Sequence, residues 1–121
     1  FMNKILNVLL HIDEEEKWAI TCKNAGSLLK MAEIGNYTIN IEIVANGQAV
    51  KSLAAGSINI LKVKEALEEL NQKGVYIYCC SNSLSALGID PALVFSFVKA
   101  VPSGIFHIAL RQKDGFSYIK P

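Results

Sequence analysis

The chain has 121 residues, 51% of them hydrophobic, with 12 Lys and Arg set against 11 Asp and Glu. Such a chain can bury a real core beneath a nearly neutral surface, which argues against disorder and gives no field for nucleic acid or an anionic membrane. Its apolar runs are strand length, short of the roughly 20 residues of a membrane helix. No basic, apolar and small-residue leader pattern opens it, and three cysteines, an odd number, suit a reducing compartment. A cytoplasmic location is therefore expected, with one domain over residues 2–121.

Lys4 to Ile12 (KILNVLLHI) is Ile, Leu and Val with few interruptions, the pattern of a parallel strand covered on both faces, and it ends at His11. Asp13 can cap a helix with Glu14, Glu15 and Glu16 in its first turn, and Trp18, Cys22, Ala25, Leu28, Leu29 and Ala32 follow at helical spacing to about Gly35. Tyr37 to Ala45 (YTINIEIVA) alternates like a second strand, and Asn46-Gly47 opens a short helical piece over 48–55. A linker at 57–60 leads to a helix over 61–72, which Gly74 closes, and Val75 to Cys79 gives a third strand. Ser81-Asn82-Ser83-Leu84 begins a short helix that Gly88 stops. Asp90 with Pro91 predicts a further helix to about Ala100. Pro102-Ser103-Gly104 reads as a turn, Ile105 to Leu110 as a fourth strand, and Phe116 to Ile119 as a short last strand, antiparallel if it pairs with the fourth.

Strand and helix alternation predicts an α/β fold, a three-layer α/β/α sandwich with a mainly parallel sheet of four strands plus a short C-terminal strand. Sites in such sheets collect beyond the carboxyl ends of the strands. Three polar clusters fall there: His11 to Asp13, Asn46 to Gln48, and Cys80 to Ser83. Strand parity sends Cys79 into an apolar layer and leaves Cys80 at the turn, where the backbone N–H groups of a starting helix favour a thiolate. Cys22, on the stripe with Trp18, is expected in the core. The cysteines lack C-x-x-C spacing and no zinc-finger pairing follows, so no metal is expected. A disulfide between the adjacent Cys79 and Cys80 would strain the peptide between them. No glycine pattern for a nucleotide is present and no cofactor is expected. His107 has no evident partner and is expected to be structural or exposed.

The segments VANG (Val44–Gly47), CSNSL (Cys80–Leu84), Pro102-Ser103-Gly104, and the ending RQKDGFSYIKP, with the opening His-x-Asp, together resemble the DsrE/DsrF-like family of small intracellular sulfur-handling proteins. The resemblance implies an α/β/α fold, assembly as a homo-oligomer (dimer, trimer or hexamer), and sulfur carried as a persulfide on a cysteine after the third strand, a position that Cys80 matches. It implies a sulfur carrier or sulfurtransferase, with sulfur donor and acceptor proteins or small thiols as partners. In that reading Cys80 is the reactive residue, and His11, Asn46, Gly47, Ser81, Asn82 and Ser83 are candidate substrate contacts. The competing reading is a non-catalytic ligand-binding or regulatory module of the same fold in which Cys80 merely packs; the pH dependence of Cys80 alkylation separates the two.

Overall fold

Strands of Ile, Leu and Val that are apolar on both sides are stable only inside a layered structure. The computed structural model of the chain, which describes residues 4–56 and 60–121, places them there. Strands β1 (Ile5–Ile12), β2 (Thr38–Ala45), β3 (Tyr76–Cys80), β4 (Lys99–Val101) and β5 (Ser117–Ile119) form one sheet in the order β4-β3-β2-β1-β5. All the pairings are parallel. Helices α1 (Trp18–Gly35) and α2 (Ile60–Gln72) pack on one face and α4 (Gly104–Lys113) on the other, while the six-residue α3 (Ser81–Ala86) starts where β3 ends. The topology accounts for this division. Right-handed crossovers stepping from β1 through β2 to β3 keep their helices on one side, and the return from β4 to β5 runs the opposite way and puts α4 on the other.

The first face is dry. Val8, Leu10, Ile12, Ile41, Ile43, Ala45, Ile77 and Cys79 pack with Trp18, Ala25, Leu67 and Leu70 in one core. The second face has a smaller apolar centre of Leu9, Val44 and Ile108, with Tyr78 and Phe116 against it. Beside that centre lies Glu42, 6% exposed, whose carboxylate accepts from His107 Nε2 at 2.8 Å and from Arg111 Nε at 2.8 Å. The ring of Tyr78 lies against that of His107, centroids 4.4 Å apart. His107 is thus structural, and it has a partner that the sequence did not reveal.

Three expectations are corrected. Residues 105–110 are not a strand but the body of α4, whose start is capped by Ser103 Oγ accepting from Phe106 N–H at 3.2 Å. Ile105, Phe106 and Leu110 face outward on this helix, so its apolar residues run around it and blur the helical period. The helix expected from Asp90 to Ala100 is a single 3-10 turn, Pro91–Leu93, capped by Asp90 accepting from Ala92 N–H at 2.9 Å. Beyond it Phe95 N–H bonds to Leu53 O and Ala55 N–H to Leu93 O, so long-range backbone bonds pull the chain out of helix and on into β4. The last strand, β5, pairs parallel with β1 at the opposite edge, the crossover length being supplied by α4. In addition, Asp13 caps nothing: its carboxylate pairs with Lys120 Nζ at 2.9 Å. The expected linker at 57–60 falls mostly on 57–59, outside the described residues.

Candidate functional site

Cys80 closes β3 in extended backbone, φ −74° and ψ 115°, and α3 begins with the next residue. Period two then splits the two thiols. Cys79 lies in the dry core at 0% exposure, where burial, together with the nearby Cys80 charge, pushes its thiol up to about 12. Cys22, half-buried on α1, is pushed up by burial to about 11. Cys80 turns to the α4 side and is 5% exposed, enclosed although it stands at the turn. The cover comes from the first residue of α4: a Cβ on Gly104 would stand 3.2 Å from Cys80 Cβ and 3.7 Å from its Sγ.

Enclosure by itself would push the Cys80 thiol up, but four donors outweigh it. The Ser83 hydroxyl and the backbone N–H groups of Gly104, Ser83 and Asn82 face the sulfur and hold its pKa below the ordinary thiol value. The sulfur therefore sits between the first turns of two helices, α3 and α4. The sequence disclosed one of them. Ser83 is fixed in turn: its Oγ accepts from Gly47 N–H at 2.8 Å while its hydroxyl faces Cys80. Gly47 can hold that pose because its φ of +57° suits a residue without a side chain, and an added Cβ would press on Asp13 O at 3.3 Å.

Next to Cys80 the rim continues across the sheet. Asn46 follows Ala45, the last residue of β2, which pairs with Cys79, so Asn46 and Cys80 are neighbours at the ends of adjoining strands. Asn46 Oδ1 lies 2.8 Å from His11 Nε2, and His11 Nδ1 lies 2.6 Å from the Tyr118 hydroxyl. The structure thus brings Cys80, Ser83, Gly47, Asn46 and His11 to one edge, as the alternation of strand ends implied. Asn82 joins through its backbone N–H, which also reaches Pro102 O at 3.3 Å, while its side chain is exposed; Ser81 is the half-buried first residue of α3. Two neighbours escaped the sequence reading, Gly104 and Tyr118. A serine cap at Ser103 with Arg111 and Lys113 in the last turn was the available sign of α4, and so of Gly104. Nothing in the sequence pairs Tyr118 with His11, since that contact depends on strand order.

A cleft of about 1110 Å³ opens beside α1 and α2, lined by Trp18, Cys22, Lys51, Ala54, Val63 and Ile89 among others, and Cys80 takes no part in it. Among the described residues, no group of three or more His, Cys, Asp or Glu is placed to hold a metal ion. None of the described helices is long and apolar enough to cross a membrane.

A five-stranded parallel α/β/α domain with a cysteine at the carboxyl edge of β3 defines a recognisable class. The chain belongs to the DsrE/DsrF-like family, whose profile matches residues 4–121. Among solved structures it is similar to MTH1491 from Methanobacterium thermoautotrophicum, a protein of unknown function, at 33% identity and a TM-score of 0.83, over 96% of this chain and 99% of that one. BT1422 from Bacteroides thetaiotaomicron, also of unknown function, shares the fold at 16% identity and a TM-score of 0.71, over 95% and 94% of the two chains. The ychN protein from E. coli does so at 16% identity and a TM-score of 0.68, over 99% and 100%. No curated protein matches the chain.

Proposed function

We propose that this protein is a cytoplasmic sulfur carrier or sulfurtransferase that holds sulfane sulfur as a persulfide on Cys80. The observation that carries the reading is the set of four donors around one thiol, which supplies the thiolate that sulfur exchange needs. Membership of the DsrE/DsrF-like family supports the same chemistry. In the loading step the Cys80 thiolate attacks the outer sulfur of a donor persulfide, R–S–SH. The new Cys80 S–S bond forms as the donor S–S bond breaks, R–S⁻ leaves with the electron pair, and the proton stays on the transferred sulfur. Unloading is the same exchange onto an acceptor thiolate, which leaves as a persulfide and restores the Cys80 thiolate. Neither step needs an external oxidant or reductant.

The test is intact-mass spectrometry after exposure to a small persulfide donor. The wild type gains about 32 Da, one sulfur atom, and Cys80→Ser gains nothing while keeping its fold, since oxygen for sulfur is nearly isosteric. An adduct that survives in Cys80→Ser but is lost in Cys79→Ser would move the role to Cys79; one lost in neither would end the carrier reading.

We further propose that the chain works as a homo-oligomer. Ile105, Phe106 and Leu110 stand 59%, 65% and 43% exposed along α4, more apolar surface than a lone helix on a sheet ordinarily shows to water. Sedimentation that finds only a 13.2 kDa monomer at micromolar concentration would refute it.

A further inference from the structure

Tyr118 on β5, His11 on β1, Asn46 just past β2 and Cys80 on β3 come from four consecutive strands of the sheet, and three of them are joined in series by the bonds at His11. His11 is 7% exposed, and those two bonds engage both of its ring nitrogens. Asn46 Oδ1 can only accept, which puts a proton on Nε2; in the neutral ring Nδ1 is then the acceptor, and the Tyr118 hydroxyl donates to it. The consequence falls on Asn46. With its oxygen committed to His11, its NH2 group is left at the other end of the amide, and the next side chain along the rim is Cys80. Asn46 and Cys80 flank the same small residue: a Cβ on Gly104 would stand 3.4 Å from Asn46 Cβ and 3.2 Å from Cys80 Cβ.

We infer that Tyr118 and His11 are positioning residues that hold the Asn46 amide with its N–H donors toward Cys80, to receive the outer sulfur of the persulfide or the anionic end of the incoming sulfane-sulfur donor. The inference rests on the carrier reading and adds a specificity to it. The resting Cys80 sulfur has its own donors from α3, α4 and the Ser83 hydroxyl; the amide serves the atom that arrives. A donor whose sulfane sulfur carries or adjoins negative charge is therefore favoured over a neutral polysulfide of the same size.

Two measurements decide it. Long-range proton–nitrogen NMR of 15N-labelled protein is expected to show His11 protonated on Nε2, and Tyr118→Phe to mix the two tautomers; protonation on Nδ1 alone in the wild type would overturn the relay. Tyr118 is 40% exposed, so phenylalanine is readily accommodated. Next, the rate of persulfide loading by mass spectrometry is divided, for each variant, by its rate of alkylation with neutral iodoacetamide. This ratio is expected to fall about tenfold in Asn46→Ala and about threefold in Tyr118→Phe, as befits loss of a donor to a charged group and loss of the group that orients it. A ratio unchanged in both variants would refute the role, because general damage to the site slows both reactions together. If the wild type does not load at all, the carrier reading falls and takes the amide's sulfur contact with it, while the tautomer measurement still decides the relay.

Discussion

The two faces of the sheet are built on different principles. Against α1 and α2 the strands present an unbroken apolar layer, with Leu10, Ile12, Ile41, Ile43 and Ile77 at 1% exposure or less. Against α4 the apolar centre is small, and polar groups take over much of the fastening. His107 and Arg111, one helical turn apart on α4, grip the same Glu42 carboxylate on β2. Apolar packing has no direction and tolerates a small slide, whereas two hydrogen bonds to one carboxylate set the angle and register of a helix. Gly104, the first residue of α4, must sit within van der Waals reach of Cys80 for its N–H to face the sulfur. The dry face supplies stability, and the polar face supplies alignment.

That contrast can be broken by mutation. Leu10→Ala on the dry face should cost about 2–5 kcal/mol in denaturant unfolding, the usual range for a large-to-small change in a close-packed core. The alkylation midpoint of Cys80 in the molecules that remain folded should stay where it was. Glu42→Gln on the polar face should cost less, about 1–3 kcal/mol, because Arg111 is still 30% exposed and water recovers part of the loss. It should nevertheless raise the Cys80 midpoint, since the anchor of α4 is loosened. If Leu10→Ala moves the thiol as far as Glu42→Gln does, the division of labour is wrong. Gly104→Ala should be intermediate in cost, about 1–2 kcal/mol, as the new methyl must displace the Cys80 side chain. It should raise the midpoint as well, by pushing the Gly104 N–H away from the sulfur.

The same contrast explains what the sequence disclosed. The dry face was legible because burial on it demands one kind of residue at every second strand position and on a stripe of each helix, and that demand is written as periodicity. So β1, β2, α1, α2 and the parity that separates Cys79 from Cys80 could be read directly. The polar face was not, because its order is written in pairs. Glu42 looks like the outward member of an alternating strand, His107 looks partnerless, and IFHIAL is apolar at every position but His107, so it shows no helical stripe until Glu42 is known to face it. Tyr118 met His11 only because β5 crosses the sheet to lie beside β1. Of the candidate site, the strand-end clusters were visible as three separate polar runs; the second helix start and the Tyr118 contact required the topology.

The finest test lies within the Cys80 shell itself and compares a side chain with its neighbour. Ser83→Ala removes the hydroxyl that faces the sulfur and leaves the Gly47 N–H without its acceptor, so the alkylation midpoint should rise by up to about one pH unit, the worth of one hydrogen bond to a charged group at about 1 kcal/mol or a little more. Asn82→Ala keeps the backbone N–H that faces the sulfur and removes only an exposed side chain, so its midpoint should stay within roughly a few tenths of a unit. The sign follows from linkage. Cys80 has a lowered folded-state pKa, so its contribution to stability is present above the ordinary thiol value and is lost as pH falls through the folded value. Cys79, raised to about 12, behaves oppositely: the stability tied to its neutral thiol is present below the ordinary thiol value and is lost as pH rises toward 12. Alkylation of native protein near pH 7 should therefore modify Cys80 alone, and labelling that reaches Cys79 first would reverse the assignment of the two faces.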